Sequence, residues 1–157
     1  MYIKETQEFI KLFDELTEVK ESNVHGLGLF AKKDIPKGTV WWQGINGINI
    51  ILINKSQYHI FRNSVENNLS SKLWEIINIY QYYSSSLDSL VVCLDNSRFV
   101  NHSDNPNSGS DKISQPLVSI AKCDIHKGEE IFENYGNYEI CPWDGVRNFD
   151  KKRYIKL

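Results

Sequence analysis

At 157 residues, with 41% hydrophobic and 12% aromatic residues, the chain has the size and composition of one soluble domain around a single core. A formal net charge of -2 leaves no global positive field, which argues against direct nucleic-acid binding, and no run approaches the about 20 apolar residues of a membrane span. The charged start, MYIKETQEFIKLFDEL, lacks the apolar core of a signal peptide, so an intracellular location is expected.

Within Lys4 to Asp14, the helical spacing of Phe9, Ile10 and Phe13 predicts a short amphipathic helix, residues 1–15, laid on the domain. Alternation around Val19 predicts a strand from Leu16 to Glu21, ahead of a loop from Ser22 to Gly28. Gly26 and Gly28 carry no Cβ, as a loop of close backbone approach requires, although alone the pair reads as a hairpin turn. The apolar run Leu27 to Ala31, the Pro and Gly turn of DIPKGTV and strands at Thr39 to Gln43 and Ile48 to Ile53 follow. Trp41 and Trp42 point to opposite faces of such a strand, one to the core and the other free to floor a groove.

Leu69, Leu73, Ile76, Ile77 and Tyr80 return to helical spacing, and Ser70 or Ser71 suits an N-cap, which predicts a helix from about Ser71 to Gln81. Tyr80, Tyr82 and Tyr83 sit at its exit. Leu90 to Leu94 reads as a buried strand delivering the chain to a polar run, Arg98 to Asn107, RFVNHSDNPN. There Asn101, Asp104, Asn105 and Asn107 favour turns, Pro106 blocks a helix, and Phe99 and Val100 anchor the entry, so this is a fixed polar loop. The segment SGSDKISQ reads as a mobile surface excursion before a strand at Leu117 to Ala121. CDIHKGEEIFENYG then repeats the pattern of KKDIPKGTVWWQG: an Asp-Ile pair, a Lys-Gly turn, then a strand. Cys93, Cys123 and Cys141 form no C-x-x-C pair and read as buried free thiols, not a disulfide framework or zinc cluster.

The order GLGLFA, RFVNHSDNPN, GEEIFENYG resembles the SET-domain protein-lysine methyltransferases over residues from about Val19 to Gly136. The resemblance implies a mainly β domain with a helical insert (α+β): the SET-domain β-clip fold, whose C-terminal segment threads a loop as a pseudoknot. The domain would span residues 16–136 with its insert at about 55–85, followed by a tail at 137–157. It implies transfer of a methyl group from S-adenosylmethionine to a lysine amine of a basic protein or peptide. Gly26, Leu27 and Gly28 would offer backbone to the amino-acid end of this cofactor, Asn101 and His102 would hold that end and the adenine edge, and Trp143 would pack over it. Tyr135, the tyrosine of ENYG, matches the catalytic tyrosine; Tyr80, Tyr82, Tyr83 and Trp42 are candidates for the substrate channel, where aromatic faces attract an alkyl-ammonium.

Many SET proteins carry a cysteine after NHS and a zinc-bound closing segment. Here Asp104 follows Ser103 and only Cys141 lies in the tail, so no zinc and no metal is expected. Ser108, Gly109 and Ser110 stand where some members place a channel tyrosine. Arg98 and Asn107 read as structural, holding the loop through buried hydrogen bonds. The rival to an enzyme is a silent SET-like module that binds cofactor or a basic peptide; a zinc hydrolase using His25, His102 and His126 lacks the H-x-x-x-H or H-E-x-x-H spacing. A histone-like tail, a ribosomal protein and another basic partner are equally compatible acceptors, and oligomeric state is left open.

Overall fold

A computed structural model describes residues 2–66 and 71–148. The elements run α1 (Tyr2–Leu16), β1 (Thr17–Glu21), β2 (Leu27–Ala31), β3 (Val40–Gln43), β4 (Ile50–Ile53), α2 (Lys55–Glu66), α3 (Ser71–Ile79), β5 (Gln81–Ser84) and β6 (Ser89–Cys93). A 3-10 turn (Asn96–Phe99) leads to β7 (Asn101–His102), β8 (Ser108–Gly109), β9 (Val118–Ala121) and β10 (Phe132–Glu133), and a second 3-10 turn covers Tyr135–Asn137. The strands form four small sheets: β1-β2, β3-β9-β8, β4-β6-β5 and β10-β7, the last of these parallel. The fold is mainly β with a helical insert, as the resemblance implied.

α1 buries Phe13 against Trp41 and leaves Phe9 at the surface, the one-sided burial its spacing predicts. Its end is tied down by the Thr17 hydroxyl, which donates to the Phe13 carbonyl at 2.8 Å. The main core gathers Leu29, Ala31, Ile35, Trp41, Val91, Ile125 and Ile131 between the sheets. A second cluster lies under the insert, where Tyr58, Ile77, Tyr83, Leu90 and Trp143 pack together.

The two Asp-Ile-x-Lys-Gly segments meet face to face. Ile35 and Ile125 exchange backbone hydrogen bonds at 2.8 and 3.0 Å. The Lys37 amide donates to the Asp124 carboxylate and the Lys127 amide to that of Asp34, both at 2.8 Å. Gly38 and Gly128 turn at φ +86 and +88, where residues with a Cβ are strained, and donate to the Ala121 and Ala31 carbonyls. The sequence repeat is therefore a local two-fold arrangement that seats β3 beside β9 and β2 beside residues 129–131.

Three expectations need correction. The insert contains α2 as well as α3, and the second helix ends at Ile79, so Tyr82 and Tyr83 lie on β5 instead of at a helix exit. The start of α2 was legible: the Asn54 side chain accepts from the Gln57 amide and the Gln57 side chain accepts from that of Asn54, both at 2.9 Å, a reciprocal cap. The SGSDKISQ segment is a surface excursion only in part: Asp111 and residues 113–115 are exposed, whereas Ser108 is fully buried and the Lys112 side chain turns inward. Cys93 and Cys141 are buried, whereas Cys123 is exposed at the turn before Asp124. Leu69, Ser70 and Phe149 lie outside the described residues.

Candidate active site

Asn101 joins the glycine loop to the polar loop. Its Nδ2 lies 3.1 Å from the carbonyls of both His25 and Leu27 and 2.8 Å from Glu130 Oε1, while Glu130 Oε2 accepts from the Ser22 hydroxyl at 2.9 Å. The two glycines serve different ends. Gly26 sits at φ +49 with open space around it, so its requirement is conformational; a Cβ on Gly28 would stand 2.2 Å from Glu130 Oε1, so its requirement is room. Gly26 and Leu27 remain exposed beside the buried Asn101.

His102 joins the polar loop to the ENYG segment. Its Nδ1 accepts from the Tyr135 amide at 3.1 Å, which places the proton of the neutral ring on Nε2, 3.6 Å from the Asp104 carboxylate. The imidazole tilts against the Tyr135 ring at 5.3 Å. Asn107 clamps the same strand from the other end, donating to the Glu130 carbonyl and accepting from the Phe132 amide, both at 2.8 Å. Arg98 donates to the carbonyls of Leu94 and Asp95 and covers the Phe99 ring at 4.5 Å.

Behind Tyr135 lies an aromatic chamber of about 70 Å³, walled by Trp41, Trp42, Tyr80, Tyr82, Tyr135 and Tyr138. That is a slot, far below the about 300 to 1,000 Å³ of a small-molecule pocket. The Tyr135 hydroxyl donates to the Val100 carbonyl, and its ring is tilted against Tyr138 at 5.8 Å. A register shift between Val40 and Trp42 turns both indoles into the chamber. Trp41 Nε1 donates to Ser108 Oγ at 2.7 Å and Trp42 Nε1 to Asp95 Oδ2 at 2.9 Å, so neither buried indole is left unpaired.

One wall carries charge. Lys112 and Glu133, 5% and 4% exposed, approach at 3.7 Å, and the Lys112 Nζ also donates to the Val118 carbonyl and the Ser119 hydroxyl. This ammonium faces the rings of Tyr82, Tyr138 and Trp42 at 5.5 to 5.8 Å. Glu133 also accepts from Tyr138 at 2.5 Å, Ser119 at 2.6 Å and Ser108 at 3.3 Å. Burial raises the Tyr82 and Tyr138 phenols well above their ordinary range, with the Glu133 charge adding to both and the Cys93 thiol to Tyr82. Both are therefore donors at neutral pH, not bases.

The family model of the SET domain matches residues 26–136, running from the glycine loop through the clamp to the ENYG turn. This chain belongs to the SET-domain family. Among solved structures, it is similar to ctPRC2 in an autoinhibited conformation bound to S-adenosylmethionine, with a TM-score of 0.54, 22% identity and 80% of this chain covered. A humanized mutant of the Chaetomium thermophilum Polycomb Repressive Complex 2 bound to an inhibitor gives 0.53, 22% and 80%. These likenesses concern the fold, and the SET chain described here spans 16% of the length of each of those chains. No curated protein sequence matches it.

Within this SET domain, the structure brings Gly26, Leu27, Gly28, Asn101, His102 and Tyr135 into one contiguous group, and it gathers Trp42, Tyr80 and Tyr82 around the chamber beyond them. Two candidates fall elsewhere. Tyr83 alternates to the opposite face of β5 and its hydroxyl donates to Asp88, while Trp143 is buried against Tyr58 and Tyr83 in the second cluster. Trp143 is a core residue that docks the tail, aided by the Tyr58 hydroxyl on the Gly145 carbonyl at 2.7 Å. Trp41 and Trp42, expected on opposite faces with one of them at a groove, are both brought to the chamber by the register shift; Lys112, Glu133 and Tyr138 were not among the candidates. Glu133 and Tyr138 carried a signal, the first as the glutamate of ENYG and the second as standing one short turn beyond Tyr135; Lys112 looked like any surface lysine.

Proposed function

We propose that this SET domain transfers a methyl group from S-adenosylmethionine to the side-chain amine of a lysine in a basic protein or peptide, acting inside the cell. The observation that carries the reading is the joining of two unlike sites at Tyr135. On one side the exposed Gly26–Leu27 backbone is tied to Asn101, whose neighbour His102 holds the Tyr135 amide; on the other lies a small aromatic chamber of about 70 Å³.

The residues present fit the cofactor: the exposed polar backbone of Gly26 and Leu27 and the imidazole of His102 stand near one another, as the polar amino-acid end of such a molecule requires. Bound there, the cofactor would supply a methyl group on a sulfonium. The chain's own task is alignment, which can lower the barrier by about 7 to 11 kcal/mol. Neutralising a lysine of ordinary pKa ≈ 10.4 at neutral pH costs about 4 to 5 kcal/mol, less in a dry slot. Alignment is thus the larger contribution, and the phenol of Tyr135, fixed through Val100 and His102, stands where the two sites meet.

Labelled S-adenosylmethionine incubated with the protein and a panel of basic proteins, followed by mass spectrometry, tests the reading directly. Label on a lysine side chain is expected; cofactor binding without label would make the domain a silent module. Saturating cofactor should also raise the melting temperature, because the paired loops exist only in the folded state. Absence of any shift would remove the cofactor assignment.

A further inference from the structure

The chamber wall holds an ion pair that methyl transfer by alignment does not by itself require. We propose that Lys112 and Glu133 are positioning residues that act as a charge-cancelling floor, leaving the chamber electrically neutral so that an entering lysine amine is not held there as an ammonium. This rests on the reading that the chamber receives a lysine.

Glu133 alone would give the chamber the opposite character. A buried carboxylate facing six aromatic walls would be an ammonium site of the strongest kind, since ring faces and carboxylate both favour a cation and the low dielectric magnifies each. An ammonium has no lone pair and cannot attack a methyl carbon. Lys112 reverses this, because its Nζ already occupies the cation position over Tyr82, Tyr138 and Trp42, pairs with Glu133 and donates to Ser119 and the Val118 carbonyl. Those engaged donors also make it a fixed wall group and not an acceptor poised for the methyl group.

The other charged and titratable groups leave the balance unchanged. Arg98 on the 3-10 turn donates to the Leu94 and Asp95 carbonyls, and its charge is opposite to that of the Asp95 carboxylate, which is held by Trp42, Asn49 and Ser97. Tyr82 on β5 and Tyr138 are kept protonated by burial, and Cys93 on β6 is pushed up to about 12. Tyr80 and Tyr135 complete the lining. The pair is also built to stay in place: the Tyr82 hydroxyl holds the Pro116 carbonyl and Ser110 Oγ holds that of Val118 at 2.5 Å, fastening both ends of the segment that carries Lys112.

The test is the pH dependence of kcat with acceptor and cofactor saturating, which reports ionisations within the bound complex. Lys112→Gln leaves an uncompensated carboxylate that stabilises the bound ammonium, so the acidic limb should move to higher pH by about one unit. Glu133→Gln leaves an uncompensated ammonium, so the limb should move the other way. Opposite displacements, with the limb restored in the double variant, support the proposal; unchanged limbs, or displacements of the same sign, overturn it. If either single variant fails to fold, Lys112→Arg and the double variant carry the test, since both keep the pair's net charge and must keep the wild-type limb, and a displaced limb in either overturns the proposal. Wild-type protein that transfers no methyl group to any lysine would instead sink the underlying functional reading.

Discussion

Under the proposed function, the Tyr135 hydroxyl has a part in both fold and chemistry. Its bond to the Val100 carbonyl means that Tyr135→Phe should cost about 0.5 to 1.5 kcal/mol of stability, the usual worth of one hydrogen bond. The rate of methyl transfer should fall far more, roughly ten- to a thousandfold, if the phenol also bears on the reacting centre. Single-turnover kinetics and thermal unfolding on one preparation separate the two effects, and an unchanged rate would leave Tyr135 a purely structural residue. Gly28 makes a second case. Its missing Cβ leaves room for the Glu130 carboxylate, which Asn101 and Ser22 pin, so Gly28→Ala should cost about 1 to 3 kcal/mol by breaking those bonds. In Gly28→Ala/Glu130→Ala the clash is gone, and the loss should be clearly smaller than the sum of the singles; additive losses in denaturant titrations would refute the contact.

Among elements, the facing Asp-Ile-x-Lys-Gly segments organise the sheets. Asp34 and Asp124 each hold the amide of the opposite segment, so Asp34→Ala and Asp124→Ala should each lower stability by about 0.5 to 1.5 kcal/mol, in similar amounts and additively. Chemical denaturation checks this, and a change in only one of them would mean that the symmetry is geometric without being energetic. The same pairing explains a limit of sequence reading. A match between AKKDIPKG and AKCDIHKG shows that two turns are alike, yet whether like turns pair with each other depends on where the intervening 80-odd residues bring them.

For the molecule as a whole, the aromatic chamber sets a stability limit at high pH. Tyr82 and Tyr138 ionise near pH 10 in the unfolded chain, whereas burial raises both well above that in the fold. Above about pH 10 the folded state therefore binds more protons than the unfolded state, so this contribution to stability is full below that value and declines as pH rises beyond it. Denaturant titrations between pH 8 and 11 should show a falling midpoint only at the upper end, less steep in Tyr82→Phe. A midpoint independent of pH over that range would contradict the buried placement of these phenols.

The local elements and the loop motifs were written in the sequence because they depend on neighbours along the chain: α1 in the spacing of Phe9, Ile10 and Phe13, the strands at β2 to β4 in their apolar runs, and the polar loop in its Asn, Pro and Asp residues. Even α2, overlooked, had its cap in view at Asn54 and Gln57. Pairings across long separations were not legible. That Tyr82 enters the chamber while Tyr83 backs onto Trp143 follows from the alternation of a strand whose inner face only its sheet partners define. That Lys112 is buried follows from Glu133, 21 positions later, and from the ring faces around it; a lone lysine in a polar segment belongs in water until the fold brings it a carboxylate and a cage.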